Sequence, residues 1–202
     1  MITTTLPAST QAQVERFADV LFHRYWTEDA YLTLSEISPY QIELASGRLS
    51  FLEMPSVLHR KIVLNIATAM QTWARENDAG TVLTAPLPVR LWPEKFREPD
   101  VLFIRKANED RIGEQYVSGP DLVVEVLSPR TASDDLGAKK DEYAKAGIPE
   151  YWIVNPQERD IRIYTLKDAA YDLTATVGAD AMCKSATVPG LSIGASDLFS
   201  GV

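Results

Sequence analysis

GPDLVVEVLSPR, residues 119–130, is the stretch on which the fold turns. Asp121 to Leu127 is an almost unbroken apolar run, closed in front by Gly119-Pro120 and behind by Ser128-Pro129, and so reads as a short strand. A continuous run of this kind belongs to a strand covered on both faces, as in the middle of an α/β sheet. Glu125 interrupts it. An ionised carboxylate there forgoes hydration worth several kcal/mol unless a cation, a metal or hydrogen bonds replace it. What compensates Glu125 is the question the rest of the sequence has to answer.

Downstream, residues 128–134 turn into a helix running from about Asp134 to Ala146, stopped by Gly147 and Pro149. EYWIV (150–154) is a strand, and Asn155-Pro156-Gln157 turns it into a hairpin partner, IRIYTL. From Tyr171 the pattern is short β structure, with Ser196–Phe199 as a last helical turn. Upstream, residues 81–104 read as three strands, TVLTA, PVRLW and PDVLFI, the last two separated by a loop, WPEKFRE. Asp100 opens the third strand, with Leu102 and Ile104 on its own face. KANEDRIGEQYVSG is a polar surface connection.

Further upstream, Ser56 caps a helix to about Asn77 whose apolar stripe includes Leu58, Ile62, Ile66, Met70 and Trp73. His59 lies on its buried side, which fits either a satisfied core histidine or a ligand. Ile42 and Leu44, then Leu49, Phe51 and Met54, flank Ala45-Ser46-Gly47 and predict a hairpin. Its acids, Glu43 and Glu53, are either ordinary outward-facing residues or functional ones. Residues 10–24 carry a helical stripe, and Thr27-Glu28-Asp29 marks the start of a second N-terminal helix.

With 202 residues and 46% apolar content the chain can bury one good core. A single domain over residues 1–202 is expected, with residues 1–36 as a helical N-terminal extension of a core spanning 37–202. No apolar stretch nears ~20 residues, no leader-like N-terminus is present, and one cysteine excludes an internal disulfide. A cytoplasmic protein that does not span the membrane is the expectation. The net charge of -8 argues against a broad electrostatic grip on nucleic acid. It does not exclude a nuclease, whose metal-binding carboxylates are themselves acidic.

Three charged residues stand out by position: Asp100 beginning one apolar strand, Glu125 inside another, and Lys139 on the helix that follows. Paired strands lie ~4.8 Å apart, so the two acids face a common point if their strands are neighbours. Two such carboxylates suit Mg²⁺, which takes one or two of them plus water and substrate phosphate. Spacing alone leaves a second reading equally open, in which Glu125 and Lys139 are a buried ion pair and Asp100 caps a turn.

Pro99-Asp100 followed by Glu125-Val126-Leu127 resembles the PD-(D/E)XK nuclease pattern. The run PDLVVEVLSPRTASDDLGAKKDEYAKAGIPEYWIVNP, residues 120–156, resembles the putative restriction endonuclease family of that superfamily. Tyr40–Met54, His59 and EPDVLFI also match, so the likeness covers Thr27 to Tyr164. It implies a restriction-endonuclease-like α/β core, a mixed β-sheet flanked by helices, with Mg²⁺ (Mn²⁺ substituting) held by Asp100, Glu125 and the backbone carbonyl of Val126. The motif lysine should fall at position 127, where this chain has leucine. The resemblance puts its replacement at Lys139 rather than Lys140, positioned by Asp135 and Tyr143. Glu43 and His59 match family positions as secondary candidates.

The function this implies is Mg²⁺-dependent hydrolysis of DNA phosphodiester bonds by a homodimer, since cutting both strands takes two sites. The alternatives are a non-catalytic nuclease-fold binding or scaffold protein and a small-nucleotide phosphohydrolase.

Overall fold

The computed structural model describes residues 25–201, and the helix expected over residues 10–24 lies outside them. The chain runs α1 (Glu28–Ile37), β1 (Ile42–Ala45), β2 (Arg48–Phe51), α2 (Val57–Glu76), β3 (Gly80–Thr84), β4 (Val89–Trp92), β5 (Lys95–Arg97) and β6 (Val101–Arg105). A 3-10 turn (Lys106–Arg111) leads to β7 (Val117–Ser118) and β8 (Leu122–Val126). Then come α3 (Ala132–Leu136), α4 (Ala138–Lys145), β9 (Glu150–Asn155), β10 (Asp160–Lys167), β11 (Ala170–Gly178), β12 (Met182–Lys184), β13 (Ser192–Gly194) and α5 (Ala195–Leu198).

The apolar run that opened the reading is β8, and all five of its residues are buried. It lies inside a six-stranded mixed sheet of order β11-β10-β9-β8-β6-β3, antiparallel to β6 and parallel to β9. Alternation along β8 serves two cores. Leu122, Val124 and Val126 join Val101, Phe103 and Trp152 beneath Ile62, Ile66 and Met70 of α2. Val123 and Leu127 join Leu102, Ile104, Tyr151 and Tyr143 on the opposite face, where α4 lies. Each fully buried Val, Leu or Ile contributes about 1.5–3 kcal/mol. Glu125, in the middle of this strand, forgoes hydration worth several kcal/mol that pairing has to offset.

Four expectations are corrected. WPEKFRE is not a loop throughout: Lys95–Arg97 forms β5, all buried, in a second sheet of order β2-β1-β5-β4-β7. This sheet and α1 enclose a separate cluster of Tyr31, Leu32, Ile42, Leu44, Leu49 and Phe96. The polar connection after β6 contains the 3-10 turn and β7, which pairs with β4. The helix expected over 134–146 is two helices parted at Gly137, where a Cβ would sit 2.8 Å from the Ser133 carbonyl oxygen. The hairpin strand also ends at Phe51 rather than Met54.

Candidate active site

Asp100 lies one place before β6. Continuing the register of β6 on β8 by one pair, from Val101 opposite Val124, sets Asp100 opposite Glu125. Asp100 Oδ2 accepts the Val126 N–H at 2.8 Å, which holds the carboxylate against the end of β8. Glu125 is 3% exposed, and its Oε1 accepts from Lys139 Nζ at 3.0 Å and from the Tyr143 hydroxyl at 2.8 Å. Lys139 Nζ also meets Asp135 Oδ1 at 2.9 Å, one turn back along the chain. Asp100, Glu125, Val126 and Lys139 all line one cleft of about 270 Å³ together with His59, Glu98 and Asp134.

His59 belongs to the first turn of α2. Ser56 Oγ accepts its backbone N–H at 3.1 Å, so the cap that starts the helix also fixes this residue. Its Nε2 lies 3.1 Å from Asp100 Oδ2. Burial pulls the imidazole down, but the hydrogen bond and charge of Asp100 outweigh it and the net shift is upward. His59 is therefore part of the cleft rather than a core residue.

Charge in the cleft is unbalanced. Burial pushes Glu125 well up, and the charges of Asp135 and Asp100 push the same way against the pull of Lys139. Lys139 is held charged: burial alone would lower it, but Glu125, Glu43 and Asp135 raise it well above the ordinary range. One buried ammonium thus serves several carboxylates.

Glu43 is not outward-facing. It is buried on β1, and its Oε2 accepts from Arg97 Nη1 at 2.5 Å. Arg97 also binds Asp134 at 3.0 Å and Glu142 at 2.6 Å, and Lys95 meets Glu142 at 2.5 Å. Although burial pushes Glu142 up, these two cations hold it below the usual carboxylate range. The network ties β5 to α3 and α4 and so fixes the helix that carries Lys139. Sequence reading missed Lys95 and Arg97; their alternation around Phe96 was the available signal. Tyr143 is corrected as well, since its hydroxyl steadies Glu125 and not Lys139. Lys140 lies elsewhere, its Nζ 5.1 Å from the centre of the Tyr164 ring.

Among the described residues, no three His, Cys, Asp or Glu side chains gather closely enough to ligate one ion by themselves. The cleft offers instead two opposed carboxylates with an excess of negative charge, and a backbone carbonyl beside them. That donor set fits a hard cation completing its shell with water and phosphate, as Mg²⁺ does.

Residues 28–196 match the Uma2 family, described as putative restriction endonuclease. The chain belongs to this family. The crystal structure of a putative nuclease belonging to DUF820 from Anabaena variabilis is similar over 86% of this chain and 97% of that one, with a TM-score of 0.67 at 18% identity. The shared architecture is a restriction-endonuclease-like α/β core. No curated protein matches this chain. In this Uma2 member Leu127 is buried in the core, and Lys139 on α4 sets its ammonium 3.0 Å from Glu125 Oε1.

Proposed function

We propose that the protein is a metal-dependent nuclease hydrolysing phosphodiester bonds in DNA. The observation that carries this reading is the opposition of Asp100 and Glu125 at the end of two paired strands, with Lys139 on the second carboxylate, all in one cleft. Family membership and the nuclease-type fold support it.

Asp100, Glu125 and the Val126 carbonyl would hold Mg²⁺, with Mn²⁺ as a substitute. Bound there, the ion supplies activation of water and neutralisation of charge on the phosphoryl oxygens. The protein's own groups do the rest. The Val126 N–H fixes Asp100, and Tyr143 with Lys139 fixes Glu125, so both carboxylates are pre-set for the cation. Lys139, with Asp135 behind it, presents a charged ammonium toward the reacting phosphate. His59 donates to Asp100 and orients its free lone pairs. Cutting both strands of a duplex takes two such sites, and a homodimer would supply them.

The test is cleavage of supercoiled plasmid with millimolar Mg²⁺ or Mn²⁺, alongside Asp100→Ala. Cleavage by the native protein that the variant loses supports the reading. Intact DNA under every metal condition would retire it, and turnover of free nucleotides alone would replace it with small-nucleotide hydrolysis.

A further inference from the structure

Arg130 and Glu53 form an ion pair at the cleft that holds Asp100 and Glu125. Arg130 belongs to the turn after β8, and Glu53 to the segment joining β2 to α2, so the pair bridges two walls. Both side chains stay open to water, 74% and 58% exposed. An exposed pair of this kind is weak and exchanges partners readily.

The cations of this region are few. A wider cavity of about 520 Å³ adjoins the cleft and shares Glu53, Met54, His59 and Asp100 with it. Across the two, the lining cations among the described residues are Lys139, Arg60 and Arg130. Lys139 is committed to Glu125 and Asp135. Arg60 lines the wider cavity and not the cleft, its Nε 3.4 Å from the Pro55 carbonyl. Arg130 is therefore the exposed guanidinium that lines the cleft holding both carboxylates. Its planar fork matches the two free oxygens of a phosphodiester. Glu53 presents a carboxylate with the same two-oxygen geometry.

We propose that Arg130 is a backbone-phosphate clamp for a nucleic-acid strand lying in the cleft, and that Glu53 competes with the strand for it. The proposal takes its ligand class from the nuclease reading and does not depend on hydrolysis. When the strand enters, a phosphate replaces the Glu53 carboxylate on Arg130, and the released carboxylate then faces a polyanion. Glu53 therefore opposes binding twice, by occupying Arg130 and by repelling the strand. An acidic protein gains selectivity this way: only a strand that also engages the carboxylate pair, through its cation, overcomes the internal competitor.

The experiment is fluorescence anisotropy on the full chain with labelled single-stranded and duplex DNA of about 30 nucleotides over a salt series. Ca²⁺ replaces Mg²⁺ so that the strand is held and not cut. Arg130→Gln should weaken binding about five- to tenfold at low salt and lower the salt slope by about one. Glu53→Gln should tighten it about two- to fivefold. The double variant should bind more weakly than the native protein but slightly tighter than Arg130→Gln, because the repulsion by Glu53 is gone while its competition for Arg130 no longer matters. Opposite signs are the signature, because a purely structural latch would make both single variants weaker and less thermostable. Unchanged or weaker binding by Glu53→Gln, native-like binding by Arg130→Gln, or no strand binding by the native protein overturns the clamp. Plasmid cleavage measured in parallel separates the two claims. Opposite-sign binding shifts without cleavage keep the clamp and retire hydrolysis, whereas cleavage with unmoved affinities retires the clamp alone.

Discussion

Replacing Glu125 with glutamine in the metal-free protein separates a metal centre from a structural ion pair. The change removes one 3.0 Å attraction, Glu125 to Lys139, which at an effective dielectric near 20 is worth ~5 kcal/mol. It also removes repulsions from Asp135, which shares the ammonium, and from Asp100, one strand spacing away. At ~4–5 Å each of these is worth ~3–4 kcal/mol on the same scale. The buried charge itself disappears, with its lost hydration. Lys139 keeps Asp135 at 2.9 Å, and the glutamine oxygen still accepts from Tyr143. The balance favours the variant by ~1–3 kcal/mol, a rise in melting temperature of ~2–12 °C for a chain of this size. Scanning calorimetry at pH 7 with chelator reads it. The native protein should also gain stability with millimolar Mn²⁺, about 2.7 kcal/mol at a hundredfold excess over its dissociation constant. Glu125→Gln should lose that response. A metal-free melting temperature that falls on Glu125→Gln means Glu125 exists to pair with Lys139, and the two-carboxylate centre is wrong.

Lys139→Met leaves Glu125 and Asp135 buried without their cation and should cost ~3–5 kcal/mol while abolishing cleavage. Lys140→Met, whose ammonium sits over Tyr164, should cost no more than ~1 kcal/mol and leave cleavage intact; equal effects of the two would refute the assignment of Lys139. Glu98 offers a pH test, since burial and then the charge of Glu43 push its carboxyl up to about 8. Folding raises its proton affinity, so the stability it contributes is complete at low pH and lost as pH rises through that value, ~1.4 kcal/mol between pH 7 and 9. Glu98→Gln should flatten that part of the profile, and an unchanged slope in the melting temperatures would show that Glu98 ionises normally.

Sequence by itself determined the elements that local pattern encodes. The apolar run of β8, bounded by its Gly-Pro and Ser-Pro pairs, is a central strand because continuous apolar character is what two covered faces demand. The stripe of α2 and its Ser56 cap set that helix to within a residue. Glu125 could be singled out because a lone acid in such a strand requires compensation, and Lys139 over Lys140 followed from the family pattern. Tertiary structure alone decided what compensates what. Arg97 and Glu43 are 54 residues apart, and Arg97 sits in a short strand whose charged alternation reads as a loop. His59 was placed on the inner face of α2 by periodicity, but its contact with Asp100 depends on where the helix ends over the sheet. Tyr143 follows Lys139 by one helical turn yet bonds Glu125, since a side chain's partner is set by the layer beneath it. Periodicity reports which face is buried. The pairing of buried charges is fixed by long-range packing, and no local preference records it.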